Sequence, residues 1–164
     1  MDNQERFLQR IEFKGDFTNL MIEICRDYGI GAHRSHSIVT IGYEDLNAVV
    51  ETEQGKYFVK LFASFRSLDD CRRYVGVVES ALKAGVSHPA LYRSEQGYLH
   101  YIREDDSEVR LCLMEYIDGK TLYELGEKPT QEEEQFLIKQ AATINSINHQ
   151  PPLDRKSTRL NSSH

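Results

Sequence analysis

Residues 41–62 read IGYEDLNAVVETEQGKYFVKLF and contain two β-strand patterns joined by a turn. Val49 and Tyr57 are of the β-branched and aromatic types that are enriched in strands. Glu53-Gln54-Gly55 has the composition of a hairpin turn. Together with the residues just before it, this segment predicts three strands, over about 36–42, 46–53 and 56–63.

The flanking sequence predicts three helices and two more strands. Asp16 and Ser67 suit N-cap positions, and Thr130-Gln131-Glu132-Glu133 fits a capping box. The helices are predicted over about 17–28, 69–84 and 131–148, and the strands over about 97–103 and 109–116. This order predicts an α+β fold with a five-stranded antiparallel sheet and a covering helix.

Composition limits the classes of function. The 164 residues carry a net charge of −6, and a nucleic-acid binder would usually be basic, so we expect no nucleic-acid partner. No secretory signal and no apolar stretch of membrane-spanning length occurs, which predicts a cytoplasmic protein without a membrane partner. Cys25, Cys71 and Cys112 are odd in number and widely spaced, which favours buried free thiols over disulfides or a zinc site.

Lys60 is the first residue that could carry chemistry. It stands among apolar neighbours in KYFVKLF, and a lysine in a buried strand needs a partner for its charge. Kinase-like enzymes use such a lysine to hold the phosphates of ATP. Glu79, on the following predicted helix, is the candidate partner. The alternatives are that Lys60 lies on the solvent face of an edge strand and that Glu79 is an ordinary exposed helix residue.

Two backbone segments could complete a nucleotide site. The link from Gly42 to Asn47 joins the first two predicted strands and would lie over phosphates if its amides point inward, although a plain hairpin turn explains it equally well. The segment LMEYIDG ends the last predicted strand with apolar Met114, the extended residues Glu115 to Ile117 and then Gly119. That order suits a kinase hinge, in which backbone groups read the adenine edge. A core strand that ends at a glycine is the alternative.

The last residues, 154–164, read DRKSTRLNSSH and show no apolar period. They resemble the translation of an adaptor used in short-read DNA sequencing, and a disordered polar tail is the alternative. We therefore predict that this tail is artefactual and that the chain is a fragment whose genuine sequence stops near Leu153.

Taken in order, four stretches resemble the aminoglycoside phosphotransferase/choline kinase-like family, which includes homoserine and fructosamine kinases. They are IGYEDLNAVVETEQGKYFVKLF, GVSHPAL, LCLMEYIDGKTL and QAATINSIN. The resemblance covers roughly residues 17–150. It implies a two-lobed, protein-kinase-like fold that binds ATP and Mg²⁺ between its lobes. On this basis residues 1–15 are an N-terminal extension, 16–118 the ATP-binding lobe, and 119–150 the hinge exit and first helix of a second lobe.

The resemblance also implies roles for individual residues. Lys60 would bind phosphates and pair with Glu79, and residues 42–47 would form the nucleotide loop. The Glu115 carbonyl and the Ile117 amide would hold the adenine, with Met114 behind it. The family's catalytic His-x-Asp-x-x-x-x-Asn and Mg²⁺-binding Asp-x-Asp patterns do not occur in this chain.

We therefore expect ATP and a small hydroxyl or amino acceptor as the partners of the full-length protein. Because the catalytic and Mg²⁺-binding patterns are missing from the chain, we predict that the 164 residues have no phosphotransferase activity by themselves. A non-catalytic kinase-like binding or structural protein is the alternative.

Overall fold

A computed structural model describes residues 3–42, 44–104 and 106–147 of the chain. The helices are α1 (Asn3–Leu8), α2 (Phe17–Tyr28), α3 (Leu68–Lys83), α4 (Leu122–Leu125) and α5 (Gln131–Ser146), with a 3-10 turn at Gln9–Ile11 after α1. The strands are β1 (His33–Val39), β2 (Leu46–Thr52), β3 (Lys56–Leu61), β4 (Leu91–Tyr92), β5 (His100–Glu104) and β6 (Ser107–Glu115).

The strands form one antiparallel sheet in the order β1-β2-β3-β6-β4, with β5 also paired to β6. The three predicted N-terminal strands are confirmed, although β1 lies about three residues earlier than predicted. The sheet has six strands rather than the predicted five. The additional strand, β4, has only two residues, too few to show an alternating pattern in the sequence.

Polar residues begin the helices where the sequence predicts them. The Asp16 carboxylate accepts a hydrogen bond from the Asn19 amide at 2.8 Å at the start of α2. Ser67 forms a capping box with Asp70 at the start of α3, and Thr130 forms one with Glu133 at the start of α5. These bonds satisfy amides that have no partner within the helix, which fixes where each helix begins.

Helices cover both faces of the sheet, α2 on one face and α3 on the other. Alternate residues of β3 belong to opposite layers, because successive side chains of a strand point to opposite faces. Val59 and Leu61 join the core formed with α2. On the other face, Phe58 packs with Cys71 and Val75 of α3.

The segment predicted as an N-terminal extension contributes directly to the core. Phe7 and Ile11 are buried in the layer that also contains α2. The amide of Ser64 donates to the carbonyl of Arg10 at 2.8 Å, which joins the 3-10 turn to the segment after β3. Described residues before Asp16 are therefore part of the folded unit.

The last helix, α5, differs from α2 and α3 in that it contributes no buried residue to the core. No residue of α5 is buried, and its large apolar side chains are about half exposed or more: Phe136, Leu137, Ile138 and Ile144. The amide of Ser87 donates to Oε1 of Gln140 at 2.6 Å, which is a contact between α5 and the segment after α3. The assignment of residues 119–150 to a second lobe stays a prediction. No described helix is both long and apolar enough to cross a bilayer.

Candidate functional site

Lys60 lies on the face of the sheet that α3 covers. It is directly opposite Asn47 of β2 and Cys112 of β6 in the strand register. Its side chain is 14% exposed, and its Nζ lies 5.1 Å from the centre of the Tyr74 ring on α3. Lys60 is therefore on an inner strand and mostly buried, which excludes the alternative of a solvent-facing lysine on an edge strand.

The partner of Lys60 is Asp45. Lys60 Nζ lies 2.8 Å from Oδ2 of Asp45, whose side chain is only 6% exposed. Asp45 immediately precedes β2, at the end of the link from β1. A mostly buried ammonium is costly without a compensating charge, and this carboxylate supplies it.

The predicted pair of Lys60 with Glu79 is wrong in this structure. Glu79 instead forms an ion pair with Lys83, one helical turn further along α3, at 2.8 Å. The side chain of α3 that faces the Lys60 ammonium is Tyr74. Spacing along the chain suggested an acid on α3, but the rotation of the helix places an aromatic ring there.

Two further groups hold the Asp45 carboxylate through three hydrogen bonds. Arg66 donates from Nε to Oδ1 at 2.7 Å and from Nη2 to Oδ2 at 3.3 Å. The amide of Ala63 donates to Oδ1 at 3.1 Å. Burial opposes ionisation of Asp45, but the hydrogen bonds from Arg66 and Lys60 outweigh it, so the pKa of Asp45 is lowered.

The predicted nucleotide loop is only partly described, since Tyr43 lies outside the described residues. Gly42 has φ of 120°, a conformation that disfavours side chains. Arg10 donates from Nη1 to the carbonyls of Gly42, at 3.2 Å, and Asp45, at 3.0 Å. Within the described chain, the buried Oδ1 of Asn47 accepts no hydrogen bond. The loop thus brings an unused acceptor close to Lys60.

The predicted hinge follows the last inner strand. Met114 of β6 is 5% exposed and lies opposite Phe58 of β3 and Leu91 of β4. Its register position puts it on the same face as Lys60, two residues closer to the end of β6 than Cys112, which pairs with Lys60. Met114 and its two register partners form an apolar surface beside the charged cluster of Lys60, Asp45 and Arg66.

The backbone leaves the sheet after Glu115, the last residue of β6. The amide of Glu115 donates to the carbonyl of Ala90 at 2.8 Å, and its Oε2 accepts from the amide of Ala90 at 3.2 Å. Ile117 is 59% exposed and lies beyond the end of the strand. The predicted hinge residues are therefore adjacent to the Lys60 face, while their role in binding adenine stays a prediction.

Sequence reasoning missed the groups that organise this site, namely Asp45, Arg66, Arg10 and Tyr74. A signal for Asp45 was present. The turn at 53–55 fixes the pairing of β2 with β3, so that Asn47 lies opposite Lys60 and Asp45 lies one diagonal step away. Diagonal neighbours are within reach of a long side chain such as lysine. Arg66 and Arg10 lie outside the sheet and gave no comparable signal.

A separate cavity of about 730 Å³ lies elsewhere on the described structure. It is formed between the N-terminal segment and the β5–β6 turn, and Ile11, Phe62 and Arg110 are among its lining residues. None of the predicted site residues lines it. The described residues also contain no group of three or more His, Cys, Asp or Glu that could hold a metal ion.

Comparison with known proteins gives a family and a fold. The family described as "Phosphotransferase enzyme family" matches residues 36–163. This range runs into the tail at 154–164, so the artefactual origin of the tail stays a prediction. No curated protein matches the chain.

Among solved structures, the chain is similar to that of the microcompartment-associated aminopropanol kinase, with a TM-score of 0.56 and 14% identity. The alignment covers 84% of this chain and 42% of that one, so the chain spans less than half the length of this structural relative. At this identity the likeness shows the fold alone, and it confirms the predicted kinase-like α+β architecture.

Proposed function

This chain belongs to the phosphotransferase enzyme family, and from that premise we propose that it is the nucleotide-binding lobe of an ATP-dependent kinase of small molecules. The observation that carries the proposal is the position of Lys60. A mostly buried ammonium stands on the third strand of the sheet, beside the β1–β2 link, with its charge anchored at one point by Asp45.

The ammonium of Lys60 has capacity left for a ligand. A lysine ammonium carries three hydrogen-bond donors, and Asp45 takes one of them. Phosphate oxygens are strong acceptors for the other two. The unused Oδ1 of Asn47, on the strand opposite Lys60, is an acceptor that a hydroxyl of the ligand or a water of its hydration shell would satisfy.

The rest of the site suits the other parts of ATP. Met114 and Phe58 would contact the adenine ring, while the Glu115 carbonyl and the Ile117 amide would bind its edge. Gly42 and its neighbours would cover the phosphates. When bound, ATP supplies the phosphoryl group that is transferred, and Mg²⁺ offsets the charge of its phosphates. We place the Mg²⁺ ligands in a second lobe, outside the described residues.

The first experiment is ATP binding to the 164-residue chain, measured by calorimetry with Lys60→Ala and Lys56→Ala as a matched pair. Lys56 lies on the same strand but is exposed, so its loss should leave affinity unchanged. Loss of Lys60 should lower ATP affinity by about tenfold to a hundredfold, because hydrogen bonds to charged groups contribute about 1.5–3 kcal/mol. Equal affinities of the two variants would contradict the proposed site.

Catalysis is a separate proposal from binding. We propose that the full-length protein phosphorylates a small hydroxyl or amino compound and that the 164 residues alone do not, because the family's catalytic patterns are missing from them. A coupled kinase assay of the chain should remain at background. Turnover that Lys60→Ala abolishes would contradict the predicted inactivity.

A non-catalytic binding or structural protein is the second candidate function. The observation in its favour is that Tyr74, rather than an acid, faces Lys60 from α3. Both candidates predict ATP binding if the site is intact. They separate in the full-length protein, where only the first predicts phosphoryl transfer and its loss in Lys60→Ala.

A further inference from the structure

We propose that Asp45 is the positioning residue for Lys60, and that it performs from the β1–β2 link the role predicted for Glu79 on α3. The inference rests on the proposed ATP site. Asp45 would not touch the nucleotide; it would hold the ammonium of Lys60 where the phosphates bind.

No acid of α3 forms an ion pair with the Lys60 ammonium in the described structure. Glu79 pairs with Lys83 at 2.8 Å, and the group of that helix in contact with the Lys60 ammonium is the Tyr74 ring, 5.1 Å from Nζ. A ring face attracts a cation but provides no oxygen to fix one of its N–H bonds in direction. Asp45 provides that oxygen at 2.8 Å.

Asp45 is itself fixed on several sides, as a positioning group must be. Arg66 contacts both of its carboxylate oxygens, the Ala63 amide contacts Oδ1, and Arg10 holds its backbone carbonyl. These contacts come from the segment after β3 and from the 3-10 turn. These contacts fix the Asp45 carboxylate independently of Lys60, and the carboxylate therefore holds the Lys60 ammonium in place.

The charges around Asp45 decide whether it holds Lys60 for a phosphate or competes with the phosphate for Lys60. If Asp45 faced Lys60 alone, its negative charge would cancel the ammonium and repel a phosphate. Arg66 bears a second positive charge against the same carboxylate at 2.7 Å. Glu44 also pairs with Arg66, at 2.6 Å, but its side chain is 58% exposed, so solvent screens its charge more than that of Asp45. Because Asp45 is shared between two cations, the Lys60 ammonium keeps part of its attraction for phosphate.

The experiment compares ATP and adenosine binding to the wild-type chain, Asp45→Asn and Glu79→Gln. Asp45→Asn should weaken ATP binding about tenfold, the scale of one charge-assisted hydrogen bond, and leave adenosine binding unchanged. Glu79→Gln should change neither. Unchanged or tighter ATP binding by folded Asp45→Asn would overturn the inference, and tighter binding would show that Asp45 competes with the phosphates.

A double-mutant cycle with Lys60→Ala tests whether Asp45 acts through the lysine. If it does, Asp45→Asn adds no further loss of ATP affinity once Lys60 is removed. Additive losses would contradict a positioning role.

If Asp45→Asn does not fold at the assay temperature, Asp45→Glu replaces it. This variant keeps the charge but displaces the carboxylate, and ATP affinity equal to wild type would overturn the inference.

Failure of this inference is distinguishable from failure of the proposed function. A wild-type chain that binds no ATP, or binds it equally well without Lys60, contradicts the proposed function. A chain that binds ATP through Lys60 and is insensitive to Asp45→Asn contradicts only the positioning role.

Discussion

The guanidinium of Arg10 donates a hydrogen bond to the backbone carbonyl of Asp45 at 3.0 Å, across 35 positions of the chain. The same nitrogen reaches the carbonyl of Gly42 at 3.2 Å. One side chain from the N-terminal 3-10 turn therefore holds two points of the link that precedes β2, Gly42 and Asp45. The turn itself is anchored through the Ser64 amide, so the N-terminal segment supports the candidate site.

Arg10→Ala should destabilise the chain and loosen the link between β1 and β2. Loss of the two hydrogen bonds should cost roughly 1.5–3 kcal/mol in the free energy of unfolding, the range for hydrogen bonds to charged groups. Urea unfolding measures the cost, and amide exchange of residues 44–47 measures the loosening. Arg6→Ala, an exposed arginine in the same segment, is the control. Equal effects of the two substitutions would contradict the role of Arg10.

The centre of the sheet should be the most sensitive part of the core. Leu111 of β6 is fully buried, between the Lys60 strand and β5. Leu111→Ala should lower the free energy of unfolding by about 2–5 kcal/mol, because it removes buried methyl groups and leaves a cavity. Val77→Ala on α3, where the side chain is 45% exposed, should change it by less than about 0.5 kcal/mol. Thermal or urea unfolding of both variants checks this difference.

The sequence predicted elements whose signals are local. Asp16 and Ser67 satisfy helix amides within three residues, and the turn at 53–55 sets the β2–β3 pairing across only a few positions. Such contacts depend on short spacing, so a pattern in the chain identifies them. The starts of α2, α3 and α5 and the fold class followed from these signals.

The ion-pair partner of Lys60 depends on how separate elements are rotated and packed. Glu79 is the acid that spacing favours, yet α3 turns Tyr74 toward the lysine. That rotation follows from Cys71 and Val75 entering the core, and the distance in sequence from Lys60 to Glu79 does not take it into account. The burial of Phe7 likewise depends on contacts with α2 that no short pattern encodes.

The three cysteines should resist modification in the folded chain. All are free and buried. Burial raises the pKa of Cys25 to about 11 and that of Cys112 to about 12, and it also raises the pKa of Cys71. Only the thiolate reacts readily, so a disulfide reagent at pH 8 should modify the native chain slowly and the urea-unfolded chain rapidly. A fast reaction of one thiol in the native chain would contradict the described burial.

The ion pairs of Asp45 with Lys60 and Arg66 should make the free energy of unfolding depend on pH in the acid range. Burial opposes ionisation of Asp45, but the hydrogen bonds from Arg66 and Lys60 hold its folded pKa below the ordinary value of 3.8. A group with a lowered folded pKa contributes stability that is fully present above its unfolded pKa, because the unfolded chain then binds no additional proton. That contribution is lost as the pH falls from about 4 through the folded pKa.

Comparison of wild type with Asp45→Asn isolates this contribution, because Asp70 and Glu108 also have lowered pKa values and titrate in the same acid range in both proteins. Urea unfolding from pH 7 down to pH 2.5 should show wild type as the more stable protein at neutral pH. The difference should shrink below about pH 4, where Asp45 of the unfolded chain becomes protonated. A difference that stays constant over this range would mean that the Asp45→Asn substitution changes packing alone, and that the ionised carboxylate beside Lys60 and Arg66 contributes nothing.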